Sequence, residues 1–353
     1  MRSLRLSSTR MLIAVIAAAC VTSIARAGQT PGSERETAAT ATSDGKVPRT
    51  PWGHPDLQGV WTTDAEVSVP LERPRALGER AVLTGAELAA RLEFEKKLAR
   101  DDPAERDPLR YGPVGDGPVH WFEWGTQPSA RTSLIIDPPD GRIPAWTAEA
   151  QARVVDGTRA VGYGDRAGSL GNGPFNGPED LSLADRCITR GLPTTWLPQV
   201  YNNGFEIVQS SDHVVVYYER LHEPRVIPLN RDSHLTPNIR QWMGDSRGHF
   251  DGDTLVVDVT NFSDRTSFRR SGEMLHLIER YTRVDAETMR VEVTVDDRTT
   301  WTRPWTFAVT GKKDRSYQVI YEYACHEGNY SLANILKGAR AEEREAERKA
   351  RRR

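Results

Sequence analysis

The chain has little of what usually announces a function. Charge of one sign is missing: 47 Lys and Arg stand against 49 Asp and Glu, a net −2, and without a basic excess the electrostatic case for nucleic acid falls away. Long apolar runs are missing after Val21, whereas a bilayer span needs roughly 20 predominantly apolar residues. Cysteine is scarce, at three residues, and none falls in a zinc-type spacing. No glycine-rich nucleotide loop and no nucleophile elbow is present. What is there is an ordinary folding composition, 38% hydrophobic and 27% charged, with 28 Gly and 22 Pro that imply many turns.

Arg2, Arg5 and Arg10 precede the apolar run Met11 to Val21, and Ala25-Arg26-Ala27 supplies a small-x-small cleavage site, the three-part pattern of a secretory signal peptide. Residues 1–27 are therefore predicted to direct export to the periplasm or the medium and then to be removed. Acylation of Cys20, which follows three alanines, is the lipoprotein alternative. Residues 28–49 are rich in Thr, Ala, Ser and Gly with almost no aromatic content, and read as a disordered spacer. Export leaves Cys187 and Cys325 where thiols oxidise, and a disulfide between them is the natural reading. By the loop-length relation it would contribute roughly 5 kcal/mol; two unpaired buried thiols are the alternative.

Residues 50–336 read as a single β-rich domain with loop and helix elaborations at 84–190, since no linker interrupts them. Asp56 to Thr62 looks like a first strand, and Gly59-Val60-Trp61 resembles the Gly-x-Trp start of lipocalin-type barrels. Thr84 and Glu87 form a capping box opening a helix to about Arg100. Ser133 to Asp137 and Arg142 to Trp146 flank Pro138-Pro139-Asp140-Gly141, a hairpin signal, and a second helix is expected from Thr147 to about Arg159. Gly162 to Pro178 reads as a loop.

From Val200 the period-two alternation is clear. Strands are expected over Gly204 to Ser210, His213 to His222, Arg225 to Leu229, Thr254 to Asn261, Leu275 to Val284, Met289 to Asp296, Trp301 to Val309 and Tyr317 to Cys325. The fold class that follows is mainly β, an antiparallel meander forming a lipocalin-like barrel or two packed sheets. Its first half is irregular and helix-containing, and it closes with a C-terminal helix. Ser331 is placed to cap that helix, whose charged end, 337–353, carries Glu345 with Lys349 and Glu347 with Arg351 at stabilising spacing.

Assigning faces suggests where chemistry sits. The odd positions of one strand read His213, Val215, Tyr217, Glu219, Leu221, and of another Leu275, Leu277, Glu279, Tyr281; Trp301, Arg303, Trp305 and Phe307 form a third such row, and Tyr317, Val319, Tyr321 and Tyr323 a fourth. If these rows point inward, Glu219, Glu279 and Arg303 are buried charges that must pair or bind something. One reading is a structural network with Arg303 bridging the glutamates. The other is an acid/base site in which desolvation raises one glutamate towards neutrality while Arg303, Tyr281, Tyr321 and Trp305 hold substrate.

Tyr217 and Tyr321 are each followed five residues later by a His-Glu pair, His222-Glu223 and His326-Glu327. Two such strand ends would bring imidazoles and carboxylates to one rim, suiting His222 and His326 to proton transfer, or all four residues to a divalent metal. The long loop Asn230 to Phe250 carries Arg247 and His249, a candidate substrate clamp. A Ser-His-Asp reading of Asp245, Ser246 and His249 fails because adjacent positions cannot converge on one reacting atom.

The blocks Gln241 to His249, Asp251 to Val257, Glu279 to Asp285 and Tyr323 to Tyr330 resemble those of a large family of exported, functionally unassigned proteins of soil and environmental bacteria. The resemblance covers most of the mature chain; it implies export and a shared architecture and carries no catalytic assignment.

The sequence thus points to an exported, cofactor-free enzyme, a lyase, isomerase or hydrolase. It would act by acid/base chemistry on a small aromatic, terpenoid or glycosidic compound. The alternatives are a non-catalytic periplasmic binding barrel for a small hydrophobic ligand and a metal-dependent His/Glu enzyme. The expected partner is a small molecule, with no nucleic acid and no membrane span.

Overall fold

A computed structural model describes residues 47–100, 123, 125, 128–155, 175–229, 233–264, 268–313 and 318–352. The expected signal peptide, all but the last three residues of the expected spacer, and most of the loop 162–178 lie outside them. Those last three residues belong to the fold: Arg49 forms a bridge with Pro55 and an ion pair with Asp253.

Ten strands form one antiparallel sheet: β1 (Gly59–Thr62), β2 (Ile135–Asp137), β3 (Gly204–Gln209), β4 (His213–Tyr218), β5 (Glu223–Pro228), β6 (Asp245–Asp251), β7 (Thr254–Thr260), β8 (His276–Arg283), β9 (Thr288–Asp296) and β10 (Trp305–Lys312). The order is β5-β4-β3-β1-β10-β9-β8-β7-β6, with β2 added to β10. Two meanders, β3 to β5 and β6 to β10, are thus joined through the short first strand. The mainly β, antiparallel class holds, and there is one sheet, not two.

The sheet curls but does not close. Its end strands β5 and β6 show no backbone ladder, yet Arg225 Nε on β5 donates to Ser246 Oγ on β6 at 2.9 Å. Further along the same seam, a Cβ at Gly248 would stand 2.8 Å from Ile227 Cγ2. Glycine at this place lets one edge lie against the other, which is why a run as polar as Asp-Ser-Arg-Gly-His-Phe-Asp serves as a strand. Alternation alone gives no hydrophobic face there, and the sequence reading took β6 for part of a loop.

Inward positions supply the core. Val214, Val216 and Tyr218 of β4, Leu277, Glu279 and Tyr281 of β8, Val291, Val293 and Val295 of β9, and Trp305, Phe307 and Val309 of β10 are all buried. At one end Trp61 is fully buried, with Arg283 and Lys313 over its ring at 5.7 and 4.8 Å.

Among the described residues three α-helices accompany the sheet. Helix α1 (Gly85–Arg100) opens on the expected capping box: Thr84 N donates to Glu87 Oε2 at 2.8 Å and Glu87 N to Thr84 Oγ1 at 3.3 Å. Helix α2 spans Ala148–Val155. Helix α3 (Tyr330–Arg351) is capped by Asn329, which accepts from Leu332 N at 3.2 Å, and not by Ser331.

Two expected strands are absent. Arg142 to Trp146 makes a single bridge, Trp146 to Trp301. Described residues of 317–325 form no strand; both edges of β10, the strand before them, are already occupied by β9 and β1. That segment is instead fixed by the disulfide Cys187–Cys325, with Cα atoms 5.7 Å apart. The bond is consistent with an oxidising environment. Among the described residues no helix is long and apolar enough to cross a membrane.

Candidate functional site

The most heavily desolvated ionic group in the fold is the pair Arg225–Glu279. Arg225 Nη1 donates to Glu279 Oε2 at 2.6 Å, with side chains 3% and 0% exposed. Tyr281 Oη donates to the same oxygen at 2.7 Å and Trp196 Nε1 to Oε1 at 3.3 Å. Three donors, one of them a guanidinium, therefore converge on one carboxylate, which is how a buried charge is held in a low-dielectric interior. The proximity of Glu279 raises the Arg225 pKa despite its burial, so the guanidinium stays charged. Burial raises the hydroxyl pKa of Tyr281 and of Tyr218, and both stay protonated.

Trp196 reaches the cluster from the 3-10 turn Thr194–Trp196, outside the sheet order. Its ring packs edge-on against Phe205, Tyr218 and Tyr281 at 5.1, 5.2 and 5.6 Å between centroids. Beside it lies a small cleft lined by Thr63, Asn202, Asn203, Arg220, Phe205 and Tyr218, with Trp196 itself in the wall. Trp196 and Tyr218 thus separate the cleft from the buried ion pair.

Three carboxylates accept hydrogen bonds from the cleft-lining residues Asn203 and Gly204. Asn203 Nδ2 donates to Asp64 Oδ1 at 2.8 Å, Asn203 N to Glu123 Oε2 at 3.4 Å, and Gly204 N to Glu219 Oε2 at 3.2 Å. Burial, with the neighbouring charges of Asp64 and Glu219, pushes Glu123 up to about 7. On the other side of the short turn after β4, burial pushes Glu223 up to about 7, although Thr189 Oγ1 donates to it at 2.7 Å. That turn holds Leu221 and His222 at φ of 60° and 54°, a left-handed conformation that costs non-glycine residues energy.

Glu279 and Tyr281 lie inside, as their row implied. Glu219 is buried but does not face Glu279: the inward face of β4 is Val214, Val216 and Tyr218, and Glu219 sits just past the strand's end. Arg303 is half-exposed and pairs with Asp137 Oδ1 at 2.9 Å, because β10 starts only at Trp305 and leaves it in the preceding turn. Its expected role as bridging cation falls to Arg225. Trp305 is buried among Trp301, Phe268 and Phe307 as core and does not line the cleft. Tyr321 is exposed, since no strand turns it inward.

The two His-Glu ends meet only in part. His222 Nδ1 accepts from Tyr323 N at 3.0 Å and its ring packs 5.0 Å from that of Tyr217, but His326 and Glu327 are exposed. Among the described residues no three His, Cys, Asp or Glu are placed to hold a metal ion, those of His222, Glu223, His326 and Glu327 included. Arg247 and His249 lie on the outward face of β6; Arg247 pairs with Asp245 at 3.3 Å and does not line the cleft.

A polar chain on the outer face of β6 to β8 was not anticipated. His234 Nδ1 lies 2.8 Å from Asp245 Oδ2 and its Nε2 2.8 Å from Asp258 Oδ1, and His276 Nε2 lies 2.9 Å from Asp258 Oδ2. Hydrogen bonding with His276 lowers the Asp258 pKa, and Asp258 raises that of His276. The chain fastens the segment after residue 232 to the sheet.

Arg225, Tyr218, Trp196 and Glu123 are the members of the site that the sequence did not single out. Arg225 and Ile227 share a face of β5, and Val214, Val216 and Tyr218 make a more apolar row than the odd positions of β4; both signals were present. Trp196 and Glu123 lie in irregular segments without periodicity, and nothing local marks them.

No protein-family model matches the chain, and no curated protein does. Among solved structures it is similar to a secretary abundant heat soluble (SAHS) protein from Ramazzottius varieornatus, at 17% identity over 38% of this chain and 87% of that one, with a TM-score of 0.23. A likeness of that size carries no argument, and the β architecture rests on the strand pairings themselves.

Proposed function

We propose that the protein is an exported binding barrel that holds a small hydrophobic molecule in the cleft bounded by Trp196, Phe205 and Tyr218. The observation that carries this reading is the pairing of an aromatic wall with a polar rim in one concave site, the combination that small-molecule sites share. Glu279, the carboxylate most withdrawn from water, is fully engaged by Arg225, Tyr281 and Trp196, which supports a scaffold role for it over proton transfer. Export is supported by the N-terminal pattern, by the sequence resemblance to exported proteins and by the disulfide.

One observation favours catalysis as the second reading. Glu123, pushed up to about 7, lies near Glu219, and a carboxyl group that titrates close to neutrality suits general acid or base work. A thermal-shift screen of aromatic, terpenoid and sugar compounds separates the two. Binding reads as a stabilising compound recovered unchanged after incubation. Conversion of that compound, lost in Glu123→Gln or Glu219→Gln, would replace binding with catalysis. A complete absence of stabilising compounds would contradict both.

A further inference from the structure

One lysine is placed unlike the others. Lys313 follows β10, and its backbone N–H donates to the Glu287 oxygen at 3.0 Å, which fixes the root of its side chain beside the turn between β8 and β9. The end of the side chain lies along β1: a Cβ at Gly59, where φ is +124°, would stand 3.4 Å from Lys313 Cε and 3.5 Å from Nζ. Glycine there leaves the room that the lysine occupies. The amine lies 4.8 Å from the centre of the Trp61 ring, and the Arg283 guanidinium 5.7 Å from the same centre.

The two cations differ in what holds them. Arg283 is buried, and its nitrogens donate to the backbone oxygens of Asp56, Asp285 and Ala286 at 2.8, 3.2 and 3.2 Å. Among the described residues no hydrogen bond and no ion pair holds the Lys313 amine. Elsewhere Lys96 pairs with Glu93 at 2.8 Å, Lys312 donates to Thr288 Oγ1 at 2.6 Å, Lys349 lies 3.7 Å from Glu345, and Lys337 is exposed. Burial and then the Arg283 charge lower the Lys313 pKa, against the opposing charges of Glu287 and Asp56. Desolvation and a neighbouring cation are the two conditions that make a lysine nucleophilic.

We propose that Lys313 is a modification site, the amine of this chain at which uncharged aldehydes condense. Nitrogen attacks the carbonyl carbon, a C=N bond replaces the C=O bond, and both amine protons leave with the carbonyl oxygen as water. An imine is less basic than the amine it replaces, so the product carries no charge beside Arg283. An anionic aldehyde would meet the charges of Glu287 and Asp56, which restricts the class to uncharged compounds. Lys313 does not line the cleft, and the inference stands apart from the binding reading.

Treating the full chain with limiting propionaldehyde and cyanoborohydride, which reduces each imine to a stable alkylamine, and quantifying the labelled lysines by peptide mass spectrometry tests it. At about pH 7 Lys313 is expected to be labelled at least about threefold faster than Lys96, Lys337 or Lys349. The ratio should fall towards one near pH 10, about where exposed lysines lose their protons as well. Glu287→Gln alters an exposed side chain and keeps the carbonyl that accepts from Lys313. It removes a charge that favours the ammonium and should widen the ratio at pH 7; a ratio that fails to widen would contradict the proposal. Labelling of Lys313 no faster than that of the exposed lysines would overturn it. So would a preference unchanged between pH 7 and pH 10, which marks access alone.

Discussion

Arg225 on β5 and Glu279 on β8 meet at 2.6 Å, almost wholly shielded from water, beside the seam where β5 and β6 face each other without a backbone ladder. With its Nε on Ser246 of β6, Arg225 links the unpaired edge to two strands of the other meander. The side chain that completes the interior polar cluster is therefore also a clasp on the open barrel.

Arg225→Met is expected to destabilise the fold by about 3–5 kcal/mol, because Glu279 keeps its neutral donors and loses its counter-charge in a desolvated place. Arg225→Met with Glu279→Leu removes both charges and should recover most of that loss. Urea denaturation of the wild type, the single and the double variant gives the comparison. A single variant within about 1 kcal/mol of wild type would show that the clasp contributes little.

Gly248→Ala places a methyl 2.8 Å from Ile227 Cγ2 and 3.0 Å from Leu229 Cδ2. Those are ends of mobile side chains, so a cost of about 1–3 kcal/mol is expected. Gly244→Ala should cost more than Gly248→Ala. Its φ of +69° disfavours any side chain, and the new methyl would lie 2.7 Å from the backbone oxygen of Thr260, which cannot swing away. The two denaturation midpoints, ranked, test the seam packing and the turn before β6 together.

Reduction, or Cys187→Ser with Cys325→Ser, frees two points 138 residues apart. The loop-length relation puts the loss at about 5 kcal/mol. Thermal unfolding with and without reductant measures it. An unchanged midpoint would mean that the 318–329 segment is held by its hydrogen bonds alone.

Stability should fall from pH 5 to pH 8. Glu123 and Glu223 are pushed up to about 7 in the fold, so each contributes stability that is full below the ordinary carboxylate pKa and is lost as pH rises through about 7. His276, also raised, acts in the same direction, its contribution disappearing on the alkaline side of the ordinary histidine range. Asp258, lowered, acts oppositely: its contribution is present above the ordinary aspartate pKa and lost only in stronger acid. Melting temperatures of wild type and Glu223→Gln at pH 5 and 8 check the sign. The variant should lose less on going to pH 8, and an identical drop would remove Glu223 from the explanation.

The strands from β3 to β10 were legible where one face is apolar and the next polar, as in Leu277, Glu279 and Tyr281. Two failures have distinct causes. Strand β6 exists because Gly248 fits a neighbouring edge, a tertiary condition that alternation does not record. The row through Tyr321 and Tyr323 has good strand residues, but β10, the strand before it, already has a neighbour on each edge. At the site, Glu279 and Tyr281 were legible as charge and phenol on an apolar row, but their cation was assigned to Arg303 when it is Arg225. Which arginine faces inward is set by where β10 begins and by the register of β5, and both are fixed by pairing partners far along the chain. Trp196 comes from a turn whose place is set by packing on the finished sheet.

The central claim is that Trp196 and Tyr218 form the wall of a ligand site. Its most direct test is fluorine NMR of protein labelled with 5-fluorotryptophan, the Trp196 resonance being assigned by Trp196→Phe among the nine tryptophans of the chain. Titration with the best stabilising compound from the screen should shift or broaden the Trp196 signal first and saturate over the concentrations that stabilise the protein. Saturable binding that leaves Trp196 unmoved while another tryptophan responds would place the ligand elsewhere and contradict the claim.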